Sequence, residues 1–307
     1  MNAPVQLART FDDRRALLFG LGTVLIWSTV ASAFKIALRH LDHLQLLLVA
    51  DVVSVLTLGA ILAVQGKLGL LRTLTRGELL RNAALGALNP FLYYLILFKA
   101  YALLPAQVAQ PLNYTWAITL SLLSVPLLGQ KLTRRDLAAI CVSYLGVVAL
   151  SAQGDPAALL RLEFGSPLGV GLALVSTLVW ALYWIGNTRI ATDPVLALFL
   201  NFCAALPLIL GATLTFSELP PLTLPGLLPG LLAGAYVGVF EMGVSFVLWL
   251  SAMRLTSSTA RIGNLIFLSP FLSLVLIHLI LGETIHATTL GGLALILGGN
   301  LLQKRRG

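Results

Sequence analysis

The chain has 307 residues, of which 58% are hydrophobic and only 10% are charged, and its formal net charge is +8 at pH 7. A soluble globular protein carries about 25% charged residues to cover its surface, so this composition excludes an ordinary soluble domain. The basic residues are spread through short gaps between apolar runs rather than gathered in one stripe, which argues against a nucleic-acid-binding protein.

Long apolar runs recur along the whole sequence and predict ten transmembrane helices. A helix needs about 20 mostly apolar residues to cross the hydrocarbon core, where only its own backbone hydrogen bonds are available. The connections between the runs are short, so an all-α membrane bundle without a soluble domain is expected. The predicted spans are 16–38, 44–65, 82–103, 105–129, 134–152, 167–188, 194–215, 227–251, 256–281 and 287–303.

The Lys and Arg residues of the connections predict the orientation, because cytoplasmic loops retain an excess of them. If the N-terminus is inside, fifteen basic residues lie in inner segments, whereas only Arg39 and Arg161 lie in outer loops. We therefore expect both termini in the cytoplasm. The fifteen are Arg9, Arg14, Arg15, Lys67, Arg72, Arg76, Arg81, Lys131, Arg134, Arg135, Arg189, Arg254, Lys304, Arg305 and Arg306.

Two short motifs recur at an offset of 153 residues. Thr23-Val-Leu-Ile-Trp27 is echoed by Ser176-Thr-Leu-Val-Trp180, and Leu127-Leu-Gly-Gln-Lys-Leu132 is echoed by Ile280-Leu-Gly-Glu-Thr-Ile285. The offset predicts two five-helix repeats, residues 1–153 and 154–307, in one membrane domain. Because five is odd, the second repeat would enter the membrane from the opposite side, as in many secondary transporters.

These features resemble the drug/metabolite transporter superfamily in its EamA-like branch: ten spans in two halves, a Trp in the first helix of each half, and a Gly-Gln/Glu turn after each fourth helix. The pattern is most similar to YddG-type bacterial amino-acid exporters. The resemblance implies export of aromatic and other neutral amino acids across the bacterial inner membrane, without a cofactor. Gln130 stands where Glu283 stands in the second half, which weakens any general role for that carboxylate.

Aromatic and polar residues are concentrated near the middle of the spans, where the substrate site of a carrier is expected. Aromatic residues of membrane proteins normally gather at the two interfaces instead. Such a set predicts a cavity with apolar walls and a few orienting polar groups, although each residue alone is equally compatible with helix packing. The set comprises Trp27, Tyr93, Tyr94, Trp116, Trp180, Tyr183, Glu241 and Ser245.

Glu241 is the only carboxylate near the predicted midplane. A charge there costs about 2.5 to 3.5 kcal/mol on insertion scales, so the group needs a partner or a proton. It is predicted to bind a substrate ammonium or to take up a coupling proton; the alternative is a neutral, hydrogen-bonded side chain between helices. Asp51 and Lys35 are predicted to form a structural pair.

Further polar candidates are Arg261, which is placed to receive a substrate carboxylate or to anchor its helix, and the amides Asn89, Asn113 and Asn264. An amide can donate and accept, which suits a zwitterion, but amides more often join helices. Pro111 and Pro270 interrupt the fourth helix of each half and are candidate hinges or passive kinks.

Together these patterns predict a secondary carrier of a small organic solute, working by alternating access in the lipid bilayer. The alternatives are an exporter of another metabolite or drug, a channel, or a membrane-embedded enzyme. The sequence lacks a GxxxxGK[ST] phosphate loop and an HExxH motif, and its cysteines, Cys141 and Cys203, form no CxxC pair. A metal, a nucleic-acid partner and a catalytic site are therefore not expected, and a monomer is compatible with the pattern.

Overall fold

The computed structural model describes residues 12–129, 133–151, 155, 166–187, 192–218, 226–257, 262 and 265–304. Six of its helices are long and apolar enough to cross a membrane: Asp13–Leu38, His43–Val64, Arg76–Leu103, Pro167–Asn187, Pro194–Phe216 and Leu227–Leu255. Large apolar side chains project outward from the bundle, such as Leu25 at 62% exposure and Phe216 at 79%. A multi-pass membrane protein is thereby supported. The other four predicted spans correspond to shorter or interrupted helices, so the count of ten stays a prediction.

The helices are numbered α1 to α13 in chain order. In the first half they are α1 (Asp13–Leu38), α2 (His43–Val64), α3 (Arg76–Gly86), α4 (Tyr93–Leu103), α5 (Ala106–Asn113), α6 (Trp116–Leu128) and α7 (Arg134–Ser151). In the second half they are α8 (Pro167–Asn187), α9 (Pro194–Phe216), α10 (Leu227–Tyr236), α11 (Ser245–Leu255), α12 (Ser269–Leu276) and α13 (Ala287–Lys304). Short 3-10 helices cover Leu68–Thr73 and Ile266–Leu268.

Several helices begin at side chains that cap their free backbone N–H groups. Asp42 and Gln45 form a capping box at the start of α2, and Thr75 and Glu78 form one at the start of α3. Asp193 accepts hydrogen bonds from the first turn of α9. Such caps each contribute about 1 kcal/mol and define where a helix enters the apolar layer.

Wide turns interrupt the third long helix of each half. The segment Ala87–Leu92 joins α3 to α4, and within it Asn89 has an extended backbone (φ −143°, ψ 119°) before the cis bond to Pro90. The π-helical segment Val237–Val244 joins α10 to α11 without such a break. A third π-helical segment, Ile277–Leu281, follows α12. Such wide turns often accompany functional sites, because they turn side chains away from the regular helical positions.

The helices α7 and α13 pack against each other at close range. Both ends of α7 lie 153 residues before the corresponding ends of α13. A Cβ on Gly146 would lie 2.5 Å from the carbonyl oxygen of Gly292, and one on Gly299 would lie 2.6 Å from that of Ala139. These two contacts interchange under the same offset, which supports the proposed repeat. Gly129 and Gly282, also 153 apart, both adopt the left-handed conformation that ends a helix (φ 68° and 72°).

The helix bundle has two opposite end faces. The amino-terminal face carries the start of α1 and the end of α11, where the Asp12 N–H donates to the Leu255 carbonyl (2.9 Å) and the Asp13 carboxylate accepts from the Ser257 N–H (2.8 Å). The distal face is the opposite end, with the start of α5 and the turn 282–286. The hydrophobic core between the faces includes Phe34, Phe98 and Phe202, which are almost fully buried.

Candidate functional site

A cavity with about 750 Å³ of empty space, part of it open to solvent, lies between helices of both halves. All five tryptophans of the chain line it. Of the residues predicted from the sequence, the structure brings together at this cavity Trp27, Tyr93, Asn113, Trp116, Trp180 and Glu241.

Trp180 of α8 is the centre of the aromatic wall. Its ring centroid lies 4.7 Å from that of Tyr93, 5.9 Å from that of Phe246 and 6.0 Å from that of Trp184. Tilted and edge-on ring pairs at these distances are favourable, by about 0.5 to 1.5 kcal/mol each beyond the burial of their surface. The wall is therefore a preorganised surface of ring faces and edges, contributed by α4, α8 and α11.

Glu241 lies in the π-helical segment Val237–Val244, and its carboxylate is held from one side. The Tyr94 hydroxyl donates to Oε1 at 3.2 Å, whereas Oε2 is buried and has no hydrogen-bond partner among the described residues. The Ser245 hydroxyl donates to the Glu241 carbonyl (2.6 Å) and accepts from the Trp27 indole N–H (3.0 Å). Tyr94 directly, and Trp27 through Ser245, thus connect the first half to the segment that carries the carboxylate.

Asn113 joins α5 to the helices on either side of it. Its Oδ1 accepts from the Tyr93 hydroxyl at 3.3 Å, and its Nδ2 donates to the Ser176 hydroxyl at 3.1 Å. These contacts make Asn113 a bridge between helices as well as a lining residue. Gln110, one turn earlier, lines the cavity with an Oε1 that has no partner in the described part of the chain.

Four predicted site residues lie behind the wall rather than on it. Tyr94 and Ser245 contact Glu241 but do not line the cavity, and the Tyr183 hydroxyl lies 3.3 Å from the Asn201 amide on α9. Asn89 is fully buried at the bend between α3 and α4. Two further candidates, Arg261 and Asn264, lie outside the described residues.

The sequence reasoning missed most of the remaining wall. Trp184 and Trp249 lie near the helix ends on the amino-terminal face, so they were not among the residues predicted from mid-span positions. Phe34 and Tyr101 were passed over for the same reason at the distal end. Their aromatic residue type was the one feature of the sequence that could have identified most of them as cavity residues. The missed lining residues are Val30, Phe34, Leu97, Tyr101, Gln110, Tyr114, Trp184, Phe246, Trp249 and Ile266.

The distal end of the cavity is closed by buried rings. Phe34 and Tyr101 form an edge-on pair with centroids 5.1 Å apart, and each is only 2% exposed. The lining residues Trp116, Trp184 and Ile266, nearer the amino-terminal face, are partly exposed. The less buried part of the lining therefore lies on the amino-terminal side.

A hydrogen-bond network between the halves covers this closed end. The Glu283 carboxylate accepts from the backbone N–H groups of Ala106 (3.0 Å) and Gln107 (3.1 Å) at the start of α5. The Gln107 side chain donates to the Thr284 carbonyl (2.7 Å) and accepts from the Thr289 hydroxyl (3.0 Å). A carboxylate at a helix N-terminus also interacts favourably with the helix dipole. We call these residues the distal latch.

Lys35 does not form the predicted pair with Asp51. Its ammonium group donates to the carbonyl oxygens of Tyr101 (2.9 Å) and Leu104 (3.0 Å), which are free because α4 ends there. Both carboxylate oxygens of Asp51 are buried in α2 without a hydrogen-bond partner among the described residues. The prediction was wrong because depth along two helices does not specify which way their side chains point.

The candidate hinges differ in setting. Pro111 lies inside α5, three residues before the turn at Tyr114 that separates α5 from α6. Pro270 lies in the first turn of α12, directly after the 3-10 helix Ile266–Leu268. Proline is tolerated in a first turn, where its missing N–H has no intrahelical partner. Both positions stay candidates for bending.

Asp193 connects three segments on the amino-terminal face. Its Oδ2 lies 2.9 Å from the Lys67 ammonium and 4.0 Å from the Arg254 guanidinium. Burial alone would raise the pKa of this carboxyl. The hydrogen bonds from Lys67 and from the N–H groups of Leu196 and Val195 outweigh burial and hold the pKa below its ordinary value. In the described ranges, no group of three His, Cys, Asp or Glu side chains is arranged to hold a metal ion.

One family model matches nearly the whole chain, and two similar proteins are named as transporters. The sequence model of the EamA-like transporter family matches residues 14–152 and again residues 167–303. An uncharacterized transporter of Clostridium kluyveri is 25% identical over 297 residues, covering 94% of this chain and 93% of that protein. Another, of Archaeoglobus fulgidus, is 22% identical over 287 residues, covering 92% and 96%. A crystal structure with 22% identity superposes with a TM-score of 0.64 over 94% of this chain and 96% of its own, which supports the fold.

Proposed function

Because this chain belongs to the EamA-like transporter family, we propose that it is a secondary carrier that moves small organic solutes across the membrane by alternating access. The family and the transporter relatives point to a transporter rather than an enzyme. The observation that carries the proposal is the aromatic cavity between the halves, whose lining rings are buried at the distal end and less buried toward the amino-terminal face. A carrier requires such a site that reaches one side at a time.

We propose aromatic and other neutral amino acids as the substrates, exported across a bacterial inner membrane with the amino-terminal face in the cytoplasm. Ring faces from Trp180, Tyr93 and Phe246 suit an apolar side chain. Glu241, Gln110 and Asn113 offer polar groups for the backbone end of an amino acid. A cavity that approaches solvent on the cytoplasmic side would be the state that loads an exported substrate.

Transport by purified protein in liposomes tests this proposal. Radiolabelled phenylalanine and leucine should show saturable uptake and counterflow, whereas a channel gives flux without either. Trp180→Ala, which removes the centre of the wall, should lower transport at limiting substrate by about tenfold or more, since burial of one large ring contributes about 1.5 to 3 kcal/mol. Phe271→Ala, on the outer surface of α12 at 46% exposure, is the matched control and should transport normally. No transport of aromatic or aliphatic amino acids would overturn the substrate assignment.

A further inference from the structure

Glu241 has the one carboxylate among the described residues that line the cavity. The Tyr94 hydroxyl donates to Oε1, and Oε2 has no hydrogen-bond partner in the described part of the chain. A buried carboxylate oxygen accepts hydrogen bonds only, so the group that completes it must be a donor, and a cationic donor offsets the most charge. Glu241 is thus the lining residue whose carboxylate can pair with an ammonium group on the substrate.

The rings around this position suit a cation as well as an apolar group. All five tryptophans line the cavity, and Trp27 is joined to the Glu241 segment through Ser245. A cation within about 6 Å of an indole face gains about 0.5 to 2 kcal/mol from the ring quadrupole. A substrate ammonium would therefore meet a carboxylate and several indole rings in one compartment.

Among the described residues, the opposite end of an amino acid finds no equivalent charged partner. Within the described ranges, Lys and Arg are absent from the cavity lining, and the polar groups other than Glu241 are neutral amides, hydroxyls and indole N–H groups. The Asn113 amide is already bonded to Tyr93 and Ser176. A substrate carboxylate would exchange water for neutral donors alone, which is a weaker interaction than an ion pair.

We infer that the cavity recognises its substrate by the ammonium end, with Glu241 as the ion-pair partner and the indole rings as cation–π partners. The substrate class then extends from amino acids to apolar primary amines and carboxyl-blocked amino acids. The inference rests on the proposed carrier function of this cavity and specifies which end of the substrate the cavity binds.

Binding to the full-length protein in detergent tests it, with intrinsic tryptophan fluorescence as the signal, because every tryptophan lines the cavity. The ligands are L-phenylalanine, L-phenylalaninamide, 2-phenylethylamine, N-acetyl-L-phenylalanine and 3-phenylpropanoate. The two carboxyl-free cations should bind at least as tightly as phenylalanine. The two compounds without an ammonium should bind about 10- to 100-fold more weakly, as expected for loss of a charged hydrogen bond. Equal or tighter binding of 3-phenylpropanoate, or no binding of 2-phenylethylamine, would overturn the inference.

Glu241→Gln should weaken 2-phenylethylamine binding by about 10- to 100-fold and leave 3-phenylpropanoate binding unchanged. Asp51→Asn is the matched control, since Asp51 is a buried acid outside the cavity lining, and it should bind the amine like the wild type. If Glu241→Gln does not fold, the wild-type ligand series decides alone. Phenylalanine counterflow in liposomes separates the two proposals: counterflow without amine binding overturns only the inference, and amine binding without counterflow overturns only the amino-acid assignment.

Discussion

Asp51 has a side chain that is fully buried in α2, and neither oxygen has a hydrogen-bond partner in the described part of the chain. An unsatisfied buried polar group costs about 1 to 3 kcal/mol. We therefore expect Asp51→Leu, which keeps the branched shape, to hold or raise the melting temperature in detergent. Asn201→Leu, which removes a buried amide beside the Tyr183 hydroxyl, should lower it. A clear fall for Asp51→Leu would show that the carboxylate is needed for folding.

Asp193 gives a pH-dependent prediction. Its pKa is lowered in the folded protein, so its contribution to stability is present above the ordinary aspartate value, about 3.9, and is lost as the pH falls through the lower folded value. The melting temperature of Asp193→Asn should lie below that of the wild type at pH about 6, and the difference should shrink towards pH about 3. When Lys67 is also replaced by Met, the Asp193→Asn substitution should lower the melting temperature less at pH about 6 than it does in the wild type. A difference that is constant with pH would contradict the role of this ion pair.

Individual cavity residues were predictable only in part. Trp27, Trp180 and Glu241 were identified because aromatic and acidic residues in mid-span are unusual. The direction of a side chain around its helix was not predictable, because it depends on local bends. Asn89 breaks the helix before α4, and Tyr183 points towards α9, so both lie behind the wall despite their mid-span positions.

At the scale of helices, the crossing of α7 and α13 offers a matched pair of glycines. A Cβ on Gly299 would meet the Ser143 hydroxyl and the Ala139 carbonyl, whereas one on Gly298 would meet nothing within 4 Å. We expect Gly299→Ala to destabilise the protein by about 1 to 3 kcal/mol. Gly298→Ala should be neutral or stabilising by up to about 1 kcal/mol, since alanine favours helix. Thermal unfolding in detergent measures both, and equal effects would contradict the close crossing.

The helices themselves were largely predictable from hydropathy. The last predicted span, 287–303, differs from α13 by a single residue at its end. The third span was predicted to begin at residue 82, but the helix begins at Arg76, because the capping box of Thr75 and Glu78 starts it before the apolar run. The break between α5 and α6 was indicated only by Pro111, since no change in hydropathy marks it.

At the scale of the whole molecule, we expect the distal latch to affect the equilibrium between the state open at the amino-terminal face and the state open at the distal face. Glu283→Ala removes the two carboxylate oxygens that accept hydrogen bonds from the N–H groups at the start of α5. We expect this variant to shift towards the state open at the distal face. Glu283→Gln keeps a carbonyl acceptor and should have a smaller effect. The measurement is labelling of Phe34→Cys by a water-soluble maleimide, after Cys141 and Cys203 are replaced by Ala. Unchanged labelling in Glu283→Ala would show that the latch does not hold this face closed.

The two-part plan of the molecule was indicated by sequence at only a few positions. Trp27 and Trp180 share the offset of 153, and both line the cavity. Glu283 was discounted because its counterpart is Gln130, yet its carboxylate joins the halves through backbone groups. Any residue type except proline could supply those N–H groups at the start of α5, so the sequence does not indicate this contact.

The glycine contacts between α7 and α13 have a mechanical consequence. At Gly146 and Gly299 the two backbones already touch, so the pair cannot move closer, and separating it would open a void in the bilayer. Tilting about the contact points keeps the two backbones in contact. We therefore expect the α7–α13 crossing to stay in place during transport, while the helices at the cavity and at the distal latch move around it.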